Sequence, residues 1–240
     1  MSTIAKNIAK VAARIREAAQ AAGRDPATVG LLAVSKTQPA ATIRQAHSAG
    51  LIDFGENYLQ EALEKQAELA DLALVWHFIG PIQSNKTRAI AEHFDWVHSV
   101  DRLKIAQRLS DQRPTELPPL NVCLQVNVSG EASKSGCAPE DVPELARAIA
   151  ALPNLRLRGL MAIPEPTDDI AEQHAAFARV RRLQHELDTE LDTLSMGMSQ
   201  DLEAAITEGA TWVRIGTALF GARAYPAQAA TTAPTNDQRT

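Results

Sequence analysis

The chain has 240 residues, 45% of them hydrophobic and 22% charged, with a formal net charge of −5. That is ordinary globular composition, without the signature of a disordered, collagenous or coiled-coil protein; lacking a dense Lys/Arg cluster, it offers no electrostatic footprint for nucleic acid or an anionic membrane. The length sits near the ~250 residues typical of a (β/α)8 barrel and makes one domain the default.

Ile4, Ile8, Val11 and Ile15 recur at helical spacing, which predicts an amphipathic helix over residues 1–20 and not a signal peptide. Residues 23–26 break that pattern, and the apolar run at 29–34 is the first predicted strand, ending in Ser35-Lys36-Thr37. A helix over 39–49 stops at Gly50, a strand follows at 51–54, and a helix at 57–69. Further strands are predicted at 75–79, 96–100, 120–128, 155–163, 193–198 and 211–215. Between the later ones, Val142, Leu145, Ile149 and Leu152 share a helical face, and Asp168-Asp169 opens a helix buried through Phe177, Val180 and Leu187. Residues 225–240, rich in Ala, Thr, Pro and Gln, read as a disordered tail, which leaves 1–224 as the folded domain.

Repeated strand–helix units imply parallel strands joined by right-handed crossovers, and eight of them suggest closure into a single (β/α)8 barrel with an extra N-terminal helix. An open doubly wound sheet is the alternative, but it would ordinarily show a Gly-rich nucleotide fingerprint after its first strand, and Val34-Ser35-Lys36-Thr37 is not one. Cys123 and Cys137 lack metal-ligand spacing and are too few for a disulfide framework, so both read as structural in a reducing compartment. With no apolar run near the ~18 residues that span a bilayer, a cytoplasmic protein is expected.

In a barrel the reactive residues come from the C-terminal ends of strands and the loops after them. Lys36 shares strand parity with Leu32 and Val34, so if that face is the inward one, its amine stands at the barrel mouth above an apolar layer, where desolvation favours the neutral, nucleophilic form. Position alone does not separate this from a solvated lysine. Gly216 and Thr217 can open a short helix whose backbone N–H groups suit a phosphate, and Ser199 can add a hydroxyl or simply cap the next helix. Asn57 either caps the helix that carries Tyr58 or bonds a ligand. His77 and His98 lie within strands without a neighbouring nucleophile or ligand spacing and read as packing residues.

Taken together, Ala33-Val34-Ser35-Lys36-Thr37, Phe54-Gly55-Glu56-Asn57-Tyr58, the Trp76-His77-Phe78-Ile79-Gly80-Pro81 stretch running on to Lys86, Ser133-Lys134-Ser135-Gly136, Gly159-Leu160-Met161, Ser195-Met196-Gly197-Met198-Ser199 and Arg214-Ile215-Gly216-Thr217 resemble the YggS/PROSC family of pyridoxal 5′-phosphate (PLP) homeostasis proteins. Each motif alone is weak, but their combined order is specific and covers roughly residues 1–224. The resemblance implies a barrel similar to the N-terminal domain of alanine racemase, with Lys36 as the Schiff-base lysine. It further implies that Ser199, Gly216 and Thr217 hold the phosphate, Arg214 stands near the pyridine nitrogen, Asn57 near the ring and Met161 against the ring face. Lys134 is a candidate for transient PLP contact or a solvated loop lysine.

The racemase also needs a second, β-rich domain and a partner-subunit tyrosine as its opposite-face base, for which this chain leaves no room after Phe220-Gly221. A non-catalytic, monomeric PLP carrier that supplies apo-enzymes is therefore the leading expectation. An amino-acid racemase, or a Schiff-base aldolase without PLP, are the alternatives.

Overall fold

A computed structural model describes residues 2–130 and 135–221. Lys134 and the tail at 225–240 lie outside the described residues. Strands β1 (Gly30–Val34), β2 (Asp53–Glu56), β3 (Val75–Phe78), β4 (Trp96–Val100), β5 (Leu120–Val126), β6 (Leu155–Ala162), β7 (Thr193–Ser195) and β8 (Trp212–Ile215) close into a barrel in chain order. Every neighbouring pair is parallel, including β8 back to β1.

Helices α2 (Ala40–Ser48), α3 (Leu59–Glu68), α4 (Thr87–His93), α5 (Leu103–Gln112), α6 (Val142–Ala150), α7 (Ile170–His185) and α8 (Leu202–Thr207) are the crossovers, and the short α9 (Thr217–Phe220) follows β8. The extra helix α1 (Thr3–Ala21) starts where Ser2 Oγ accepts the Ala5 N–H, and it buries Ile8, Val11 and Ile15 against the ring of helices. Helix α7 begins where Asp169 accepts the N–H groups of Ala171 and Glu172, the cap expected at Asp168-Asp169. None of the described helices is long and apolar enough to cross a membrane.

Alternation sorts each strand into two faces. Ala33, Phe54, Phe78, Val97, Leu160 and Val213 pack outward against the helices in one continuous core. Trp96, Cys123 and Met161 form a second buried cluster, which lies inside the barrel. The ring contacts locate it there: His77 on β3 and Trp212 on β8 have centroids 5.2 Å apart, although these strands are not neighbours in the sheet. Leu32 and Val34 have the inward parity of β1, as the placement of Lys36 requires. Cys123 and Cys137 are free and buried, and burial pushes each thiol up to about 12, so neither is a reactive thiolate.

The second and seventh strands differ most from their sequence-based bounds. The second begins at Asp53, since Ile52 is exposed and pairing with β3 starts at Asp53↔Val75. The seventh stops at Ser195, because Gly197 takes φ 92° and breaks the regular strand, although its carbonyl still accepts the Arg214 N–H at 2.9 Å.

Candidate functional site

Lys36 stands in the turn that ends β1. The Ser35 N–H still bonds the Gly55 carbonyl at 3.0 Å, and the Gln38 N–H closes back on the Ser35 carbonyl at 3.0 Å, which puts Lys36 and Thr37 at the centre of the turn. Lys36 is half-buried at the C-terminal end of the barrel. Behind it, on the helix side, lies a buried polar cluster. Lys65 Nζ from α3 spends all three of its donors there, on the Ser35 carbonyl at 2.8 Å, Glu56 Oε1 at 2.7 Å and Glu61 Oε1 at 2.5 Å. Ser35 Oγ donates to the same Glu56 oxygen at 2.6 Å. Burial raises the Glu56 carboxyl above its ordinary range, with the Lys65 charge opposing that shift.

The strand order places the other expected residues beside Lys36. Asn57 follows β2, on one side of β1, and Gly216 with Thr217 follows β8, on the other. Asn57 does not cap α3. That helix starts at Leu59 with Tyr58 in the cap position, and Asn57 Oδ1 is buried without a hydrogen-bond partner. A buried acceptor left in that state costs free energy, and the capping role is excluded. Gly80 lets the neighbouring loop approach, since a Cβ there would lie 2.2 Å from the Asn57 carbonyl oxygen.

Gly216 is the N-cap of α9, accepting the Leu219 and Phe220 N–H groups at 2.9 and 3.0 Å, so the first N–H groups of that helix have no partner within it. Ser199 is not the cap of α8; Asp201 holds that position, while the Ser199 carbonyl accepts Arg14 Nη2 from α1 at 3.1 Å. Met161 is fully buried against Trp96 and Cys123 inside the barrel, one residue before the end of β6.

Arg214 is 4% exposed and points into the barrel from β8. Its Nη1 donates to the Ser195 carbonyl at 2.5 Å and to Ser195 Oγ at 2.8 Å, and its Nη2 donates to the Ala162 carbonyl at 2.9 Å. It thus staples the ends of β6 and β7 and retains two N–H donors beyond these bonds among the described residues. Burial pulls its guanidinium down to about 10, which leaves it charged at neutral pH.

Sequence reasoning read His77 and His98 as packing residues and did not consider Asp53 or Ser195. All four form a series, buried except at its Asp53 end, that finishes on Arg214. Inward parity, shared by His77, His98, Ser195 and Arg214 on their strands, is the signal that could have grouped them. Among the described residues no cluster of His, Cys, Asp or Glu could hold a metal ion.

The mouth therefore gathers an amine, an amide oxygen in need of a donor, a guanidinium with spare donors and a helix start suited to an anion. Such a donor set fits a flat heteroaromatic carbonyl compound that carries a phosphate.

Residues 7–224 match the family of the alanine racemase N-terminal domain. A pyridoxal phosphate homeostasis protein of Pseudomonas aeruginosa is 83% identical over 229 residues, covering 95% of this chain and 100% of that protein. The protein of the same name from Escherichia coli is 55% identical over 236 residues, 94% and 99% of the two chains. PipY of Synechococcus elongatus, solved with and without PLP, is 42% identical with a TM-score of 0.80, covering 91% of this chain and 100% of that one. An alanine racemase of Clostridium difficile, 14% identical with a TM-score of 0.70, shares the fold; the likeness covers 94% of this chain but 57% of the racemase.

Proposed function

The chain belongs to the family of pyridoxal phosphate homeostasis proteins, and from that premise we propose that it binds PLP reversibly on Lys36, buffers the free aldehyde and passes the cofactor to apo-enzymes. It does so as a cytoplasmic monomer, without converting amino acids at enzyme-like rates. The observation that carries this reading is the side-by-side placement, at the ends of β2, β1 and β8, of the buried unpartnered Asn57 Oδ1, the Lys36 amine and the Gly216 start of α9.

Each residue then has a defined task. Lys36 would hold the aldehyde carbon through its amine. The N–H groups of Gly216 and Thr217 and the Ser199 hydroxyl hold the phosphate, where a helix start favours negative charge. Asn57 Oδ1 suits a ring hydroxyl. Arg214 would offer its spare donors to the ring nitrogen, and Met161 would stand beneath the ring. When bound, PLP supplies an electrophilic carbonyl and an electron sink. A fixed cation at the ring nitrogen weakens that sink, because it opposes a second positive charge.

The curated relatives matched over nearly their whole length are named for PLP homeostasis and not for racemisation, which supports holding over turnover. The test is the visible spectrum of purified protein with PLP, followed by borohydride reduction and peptide mass spectrometry. A coloured protein with the reduced adduct on Lys36 is expected. An adduct chiefly on another lysine overturns the assignment.

A further inference from the structure

The buried series that ends on Arg214 has a single consistent direction. Arg214 can only donate, and it gives Ser195 Oγ one proton at 2.8 Å. The hydroxyl proton of Ser195 then goes to His98 Nδ1, 2.7 Å away, which leaves His98 protonated on Nε2. His98 Nε2–H donates to His77 Nδ1 at 2.9 Å, so His77 also carries its proton on Nε2 and gives it to Asp53 Oδ1 at 3.1 Å. Each group between guanidinium and carboxylate accepts once and donates once, and the two ends carry opposite charge. Burial pulls both imidazoles below their ordinary pKa, His98 the more strongly, in keeping with neutral rings.

Stability alone does not call for such a chain. Barrel interiors are ordinarily layered with branched apolar side chains, and replacing a buried charged network with apolar residues is often neutral or stabilising. Here the polar series is walled in. Trp96 stacks on His77 with centroids 5.6 Å apart and planes 6° apart, and Trp212 meets the same ring edge-on. In that low-dielectric lining each hydrogen bond is stronger than it would be in water. The ends face opposite ways: Asp53 opens β2 at the barrel floor, with 21% of its side chain exposed, whereas Arg214 lies toward the mouth end of β8.

We propose that His98 and Ser195 are positioning residues for Arg214, tying it through His77 to the Asp53 carboxylate and so fixing where its spare donors point at the mouth. The consequence for PLP rests on the reading that Arg214 faces the ring nitrogen; the geometry of the chain does not.

The test uses the full-length protein, first without PLP and then with it. Long-range proton–nitrogen correlation spectra should show His77 and His98 neutral and protonated on Nε2 near neutral pH. A charged ring, or an Nδ1–H form of either, overturns the chain. Ser195→Ala removes the link next to Arg214, and Asp53→Asn removes the far charge while leaving the buried links in place, so the second variant serves if the first does not fold. Both should shift the Arg214 side-chain nitrogen resonances in PLP-free protein. With PLP, the dissociation constant should rise about tenfold for Ser195→Ala, the scale of one lost bond to a charged group, less for Asp53→Asn, and the absorption maximum should move. Unchanged Arg214 resonances in both variants overturn the positioning role, whether or not PLP binds. Wild-type protein that takes up no PLP while its tautomers and Arg214 shifts are as expected overturns the proposed function instead, and the positioning of Arg214 stands.

Discussion

The backbone N–H of Thr37 donates to Glu61 Oε1 at 2.6 Å, which ties the residue after Lys36 to a side chain on α3. Thr37 holds φ 65°, a region that β-branched residues rarely adopt, at a cost on the order of 1–3 kcal/mol. Strain of this kind persists where the surroundings over-determine it. Here Lys65 fixes the Glu61 carboxylate that receives Thr37, and the same ammonium fixes Ser35 on the other side of Lys36. The turn that aims the amine is therefore held on both flanks from one buried cation.

Replacing that cation tests the clamp. Lys65→Met leaves Glu56 buried without its partner and should cost about 3–5 kcal/mol of stability at neutral pH, measured by chemical denaturation. The pH dependence has a definite sign. Burial already raises the Glu56 carboxyl, and loss of Lys65 raises it further. A carboxyl whose folded pKa exceeds its unfolded value supports the fold at low pH and loses that support as pH rises through the folded pKa. The variant should therefore be least destabilised near the ordinary glutamate range and worse toward neutral and alkaline pH. PLP affinity should fall as well, since the Lys36 turn is no longer pinned.

Lys36→Ala is expected to separate binding from folding. Lys36 is half-buried in the turn after β1 and outside the packed layers of the barrel, so its removal should leave the fold intact. The visible band and the borohydride adduct should disappear together. Loss of the fold, read by circular dichroism, would instead place the lysine in the structural core.

Lys134 lies outside the described residues; the chain that follows it is tied to β5. Gln125, inward-facing on β5, donates to the Ser135 carbonyl at 3.1 Å, and the Cys137 N–H returns to the Gln125 carbonyl at 2.9 Å. The family resemblance makes Lys134 a candidate for transient capture of PLP on its way to Lys36. Lys134→Ala should slow both uptake and release in stopped-flow absorbance at little change in affinity. Identical rates would make it an ordinary solvated lysine.

The architecture was legible in the alternation of strand and helix patterns, and so was the inward parity of Leu32 and Val34 just before Lys36, because side-chain direction in a strand is set by position alone. The clamp behind Lys36 was not legible. Thr37 adopts a conformation its own residue type disfavours, and the groups that impose it, Glu61 and Lys65, are 24 and 30 residues away from their partners. The same holds for the histidines, which lie on adjacent strands but have their third partner, Ser195, across the barrel. Local patterns carry the elements; the chemistry of this mouth comes from contacts made only when the barrel closes.

Arg214 bears on why the cofactor would be held but not used. A guanidinium at the ring nitrogen opposes protonation there and so limits the electron sink, whereas carbanion chemistry on PLP is helped by a protonated ring. Replacement by glutamate is the direct way to reverse the charge, but it would set a carboxylate against the Ser195 and Ala162 carbonyls that Arg214 now caps. Arg214→Gln is the better probe, because its amide can still donate to those carbonyls while the positive charge is gone. The variant should fold with a loss of about 1–3 kcal/mol, the scale of a lost hydrogen bond to a charged group. Fully loaded with PLP, it should exchange the Cα proton of bound amino acids with solvent deuterium faster than the wild type, read by proton NMR. Net inversion should remain far below the ~1–10³ s⁻¹ common for enzymes, because one lysine serves one face of the bound amino acid. Unchanged exchange in a variant shown to be fully loaded would mean that the guanidinium is not what limits exchange.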